Sequence, residues 1–128
     1  MRLAVDLSPN YSKVAKKRRQ ILFIIIHYTG MQSEIVSLKG LKNLKSKVSC
    51  HYLINRKGRV FQMVKDRNIA WHAGKSKWKK FSNLNNCSIG IELVNKGHQF
   101  GYQNFSNIQM KSLISICKNL KKKYSIKK

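Results

Sequence analysis

A chain of 128 residues has room for one domain with a core of its own, and a hydrophobic share of 42% with 9% aromatics excludes a disordered or low-complexity protein. Its charge is lopsided, with 27 basic residues against 4 acidic and a formal net of +23. A single proline and no internal repeat exclude collagen-like, proline-rich and solenoid classes.

In chain order, residues 1–20 read as an irregular N-terminal arm ahead of a domain at 21–128. The arm holds SPNY at Ser8–Tyr11 and a basic run, Lys16–Arg19, whose charged end is expected to stay solvated. Met1–Asn10 carries Asp6 and Pro9 and no apolar stretch. The absence of a secretory signal there makes a cytoplasmic location the expectation, with a periplasmic or envelope location still open.

Ile21–Gly30 follows as ILFIIIHYTG. Its apolar run predicts a strand buried on both faces, and it is far shorter than the roughly 20 residues that span a bilayer, so no transmembrane segment is expected. His27 ends the run just before the loop at Gly30, where an α/β sheet presents its functional groups. A hydrogen-bonded structural histidine fits that position as well.

Ser33–Leu44 sets Ile35, Leu38 and Leu41 at helical spacing behind Ser33 as cap, and Gly40 weakens the helix. Ser49–Asn55 and Arg59–Val64 flank Arg56-Lys57-Gly58 and predict a hairpin with Gly58 at positive φ. Asp66–Ser82 reads as a loop carrying Trp71-His72-Ala73-Gly74 and Trp78. These aromatic and imidazole rings either line a groove or pin the loop to the core. Cys87–Val94 is a further strand, in which Glu92 sits among Ile89, Ile91, Leu93 and Val94.

The spacing predicts a last helix over about 107–124. Ser106-x-x-Gln109 forms a capping box, and Met110, Leu113, Ile114, Cys117, Leu120 and Tyr124 make one apolar face. Strands interleaved with two helices, one pair of strands being a hairpin, give an α/β domain with a central mixed sheet flanked by helices.

Glu92 is the most informative of the acids. A carboxylate in apolar company is costly unless paired, so it is either a structural ion pair or a general acid or base with a raised pKa. The histidines, His27, His51, His72 and His98, form no local metal motif, so any site must be assembled across the fold. Cys50, Cys87 and Cys117 are odd in number and widely spaced, as expected of reduced structural thiols. No nucleophile elbow, P-loop or dinucleotide fingerprint is present. Only six of the 27 basic residues are arginine, the residue preferred for base and phosphate forks. The charge is therefore assigned first to the lysine-rich usage of an AT-rich genome and next to attraction toward an anionic cell wall, with no specific nucleic acid as partner.

Phe23–Met31 (FIIIHYTGM), Val48–Val64, Ala70–Trp78 and Asn85–Tyr102 occur in an order and spacing that closely resembles the type-2 N-acetylmuramoyl-L-alanine amidases. These are the zinc amidases related to peptidoglycan-recognition proteins and T7 lysozyme. The resemblance runs from about Ser8 through the FSNIQMKSL helix. It implies hydrolysis of the amide between N-acetylmuramic acid and L-alanine in peptidoglycan or its fragments, with Zn2+ as cofactor and peptidoglycan or muropeptides as partners. By the same resemblance His27 matches the first zinc ligand and Glu92 the catalytic glutamate, while His72 and Trp71 match a substrate-lining loop. His51 and His98 match recurrent positions that are not metal ligands.

The resemblance also implies a second histidine ligand in a GHSDIAP-like segment after the long helix, and an aspartate or cysteine ligand beyond it. The chain stops at Lys128 before such a segment, which makes a C-terminally truncated domain the expectation. With one of three protein ligands, the chain is expected to be weak or inactive unless a second polypeptide completes the site. The non-enzyme alternative is a degenerate module that binds peptidoglycan without cutting it.

Overall fold

The computed structural model describes residues 3–14, 18–101 and 103–127, so Lys16 and Lys17 of the basic run, and Tyr102, lie outside the described residues. Among the described residues nine short strands and two α-helices follow in chain order. The sheet that matters comprises β1 (Leu3–Val5), β3 (Phe23–Tyr28), β4 (Tyr52–Ile54), β5 (Val60–Gln62) and β9 (Ser88–Leu93), in the order β1-β5-β4-β9-β3. β9 is parallel to both β3 and β4, β1 is parallel to β5, and β4–β5 is the antiparallel hairpin, so the sheet is mixed as expected. Gly58 closes that hairpin at φ +83°.

Two expectations fail at the edges. Where it is described, the arm expected over residues 1–20 is not wholly irregular. β1 joins the sheet, and β2 (Tyr11–Ser12) pairs with β6 (Ile69–Ala70). Nor is β3 buried on both faces: it is an edge strand with one neighbour, and Ile26 and Tyr28 are nearly half exposed, at 48% and 47%. An apolar run cannot by itself distinguish a central strand from an edge strand.

The helices cover opposite faces. α1 (Glu34–Lys42) is capped by Ser33, whose hydroxyl accepts from the Val36 N–H, and it sets Leu38 and Leu41 against Cys50, Leu53 and Met63. Ile35 turns out to solvent. α2 (Asn107–Tyr124) lays Met110, Leu113, Ile116, Cys117, Leu120 and Tyr124 over Ile54, Ile89, Ile91 and Leu93. Ile116 replaces Ile114 on that face; at about 100° per residue position 116 falls beside Leu113 and Leu120, while Ile114 falls beyond Met110 and is exposed. Among the described residues no helix is long and apolar enough to cross a membrane.

Only half of the capping box forms. Ser106 Oγ accepts from the Gln109 N–H at 3.2 Å, but the Gln109 side chain is fully buried and donates to the carbonyls of Ile54 and Val94 instead. Those carbonyls sit at the ends of β4 and β9, so Gln109 ties α2 to the sheet. Gln109→Leu, close in volume, is expected to cost about 2 kcal/mol by leaving the Val94 carbonyl unbonded. Urea unfolding checks this; an unchanged midpoint would refute the role.

Candidate active site

β9 is the middle of the site. Its odd-numbered side chains, Ile89, Ile91 and Leu93, pack under α2, so alternation sends Ser88, Gly90 and Glu92 to the other face. On the neighbouring parallel strands, His27 and Leu53 share Glu92's register. His27 and Glu92 therefore stand side by side toward the carboxyl ends of adjacent parallel strands, where open α/β sheets bind ligands.

The Glu92 carboxyl is largely buried, and among the described residues the ion pairs are Lys42–Asp6 and Lys123–Asp66, neither of which involves it. Of the two readings left open for Glu92, the ion pair finds no partner among the described residues. Burial alone pushes its pKa up to about 7. Cys50 lies close behind it; burial first, then the Glu92 charge, raise that thiol's pKa, which keeps it protonated. All three cysteines are free, as expected.

His72 reaches the same face from the loop after β6. Asn85 Oδ1 accepts from the backbone N–H groups of His72 and Ala73 and so fixes that loop. The ring lies over Gly90, where a Cβ would stand 2.4 Å from it, so only glycine leaves the ring its place. His72 Nδ1 is 3.1 Å from His27 Nε2, and His72 Nε2 is 3.0 Å from Ser88 Oγ. Burial, then the charges of His51, His27 and Arg19, lower the His72 pKa to about 3, and burial lowers that of His27.

His51 stacks edge-on behind His72 with centroids 6.1 Å apart. Its Nδ1 accepts from the Gly90 N–H, and its Nε2 lies 2.8 Å from the Asn68 carbonyl and 3.0 Å from Arg19. Its pKa falls to about 4, chiefly through burial. Arg19 is half-buried rather than solvated, donating to the carbonyls of Asp66 and Ser88.

Of the four candidate residues, His27, Glu92 and His72 come together. Trp71 turns toward the arm, its indole N–H donating to Ser12 Oγ in β2 at 2.9 Å. His98 stands apart at Tyr28. Sequence reasoning missed Ser88, Gly90, Asn85 and Arg19. The first two were readable, since period-two alternation places them on the face of Glu92. Asn85 and Arg19 carry no local signal.

The family model for N-acetylmuramoyl-L-alanine amidase matches residues 17–128. The chain belongs to this amidase family. It is 36% identical over 121 residues to the N-acetylmuramoyl-L-alanine amidase AmiD of Escherichia coli, covering 84% of this chain and 42% of AmiD. It is 39% identical over 80 residues to the 1,6-anhydro-N-acetylmuramyl-L-alanine amidase AmpD of Haemophilus influenzae, covering 57% of this chain and 44% of AmpD. Among solved structures, E. coli AmiD in complex with anhydro-N-acetylmuramic acid-L-Ala-D-gamma-Glu-L-Lys superposes with a TM-score of 0.78 at 34% identity, over 90% of this chain and 48% of that one. AmpDh3 of Pseudomonas aeruginosa gives 0.75 at 29% identity, over 91% and 51%. The amidase chain described here thus spans about half the length of these relatives. The superposed single chains are longer than this one, which gives no support to a second polypeptide as the source of further ligands.

Proposed function

We propose that this amidase domain hydrolyses the amide between N-acetylmuramic acid and L-alanine in peptidoglycan or muropeptides, with Glu92 as general base and acid and His27 as a zinc ligand. The observation that carries the reading is the Glu92 carboxyl, without an ion-pair partner among the described residues, beside His27 in the parallel register and with a pKa near neutrality. A group that titrates near the working pH can both take a proton and return it. Glu92 would accept the proton of the attacking water and deliver it to the departing L-alanine nitrogen, completing hydrolysis with no net proton change. The muropeptide bound by AmiD supports the substrate class.

The donors at hand fit zinc in part. His27 is a neutral imidazole with one nitrogen engaged by His72 and the other unengaged, the ordinary form of a metal-ligating histidine. Among the described residues, however, no group of three His, Cys, Asp or Glu side chains could hold a metal, and a tetrahedral catalytic site takes three protein ligands. When bound, zinc supplies carbonyl polarisation and a more acidic water. With His27 alone to hold it, the 128-residue chain binds zinc weakly and turns over slowly or not at all.

Calorimetric zinc titration together with mass-spectrometric detection of released stem peptide tests the reading. Weak zinc uptake is expected, and any turnover should fall by about 100-fold or more in Glu92→Gln. Turnover unchanged in that variant would remove Glu92 from the reaction, and tight stoichiometric zinc would overturn the one-ligand reading. The second reading is a peptidoglycan-binding module without catalysis. Retention on cell-wall sacculi with no product released would select it.

A further inference from the structure

The face of the sheet around β9 holds one chain of hydrogen bonds whose direction is determined from its far end. The Leu84 carbonyl oxygen can only accept, and it lies 2.6 Å from Ser88 Oγ. The hydroxyl has one proton, and that contact uses it. Toward His72 Nε2, at 3.0 Å, Ser88 Oγ can then offer only a lone pair, so His72 Nε2 carries a proton. The His72 ring is buried over Gly90 with His51 on one side and His27 on the other, and no carboxylate bonds to it, so it is neutral and its Nδ1 is bare. His27 Nε2, 3.1 Å from that bare nitrogen, must be the donor.

From this geometry we infer that Leu84, Ser88 and His72 form a tautomer-setting chain: they hold the proton of His27 on Nε2 and present its Nδ1 as a free lone pair. His72 and Ser88 are positioning residues in this scheme, acting through His27. The inference deepens the proposed function by naming which nitrogen of His27 faces an electrophile, and it rests on that function only for what the lone pair serves. It also gives a reason for a serine and a glycine two residues apart in SIGIE: the hydroxyl terminates the chain and the missing Cβ admits the ring.

Long-range proton–nitrogen correlation spectra of the metal-free, 15N-labelled full chain near neutral pH read the tautomer directly. His27 should show a protonated, pyrrole-type Nε2 and a bare, pyridine-type Nδ1. Ser88→Ala removes the terminal acceptor and should shift the pyridine-type signal of His27 wholly or partly to Nε2. Ser88→Thr, which restores a hydroxyl, should return the original pattern. A pyrrole-type Nδ1 on His27 in the unaltered chain would overturn the inference without need of any variant, as would an unchanged tautomer in a folded Ser88→Ala. Because neither zinc nor substrate is present, failure to cleave muropeptide leaves this result standing, and the reverse tautomer in a cleaving enzyme overturns the chain alone.

Discussion

Glu92→Gln is expected to stabilise the fold at pH 8 by as much as about 3 kcal/mol while leaving it unchanged near pH 4.5. The carboxyl has an ordinary value of 4.5 and is pushed up to about 7 by burial. Below the lower value the group is protonated in both folded and unfolded chains and contributes no difference. Between the two values the unfolded chain releases its proton while the folded chain keeps it, so stability falls as pH rises. Above 7 both forms are ionised and the loss levels off. At roughly 1.4 kcal/mol per pH unit, a gap from 4.5 to about 7 amounts to about 3 kcal/mol, an upper value for a side chain that keeps some contact with solvent. Glutamine keeps the shape and never ionises. The lowered histidines also make stability depend on pH, but they are common to both proteins and cancel in the difference. Urea unfolding at the two pH values measures it. Equal stability at pH 8 would mean that the carboxylate has a partner in solution, and the acid–base role would lose its physical basis. A gain in stability on losing a residue proposed to act in the reaction is what a site strained for function predicts.

The second large effect is at Gly90. A methyl group there would sit 2.4 Å from His72 Cγ and Cδ2, a distance that cannot be accommodated without moving the ring. The ring cannot shift cheaply, since both its nitrogens are engaged and Asn85 holds its backbone. Gly90→Ala is expected to cost about 3 kcal/mol and to lower Tm by roughly 10 °C. Gly74→Ala makes a useful contrast. Its φ of +59° disfavours alanine, but no atom lies within 4 Å, so only about 1 kcal/mol is expected. Removing the ring as well separates clash from backbone. In the His72→Ala background the cost of Gly90→Ala should largely vanish, because its opponent is gone. An equal cost with and without the ring would show that Gly90 serves the strand and not His72.

These two residues show why the site was only partly legible. Glu92 announces itself, because an acid among Ile91, Leu93 and Val94 is expensive wherever the strand lies. Gly90 is silent by itself, since glycine in a strand has several causes and its partner, His72, arrives from 18 positions upstream. Arg19 is sharper still. In a chain with 27 basic residues, nothing local separates the one guanidinium that bonds to Asp66, Ser88 and His51 from the other cationic side chains. Gln109 was read as a cap because Ser-x-x-Gln has that meaning locally, yet the carbonyls of Ile54 and Val94 at the ends of β4 and β9 compete for its amide and win.

The sequence alone determined the α/β class, the hairpin with its glycine and both helices, and the resemblance to the amidases marked an imidazole and a carboxyl as the chemistry to look for. The fold elements follow from periodicity and capping, which act over a few residues. Tertiary structure alone decided that β3 is an edge, that Leu3–Val5 joins the sheet, and that His27 and Glu92 share a register with His72 set between His27 and Ser88. Strand order and register are settled by which surfaces bury one another across long separations in the chain, and no local spacing records that outcome.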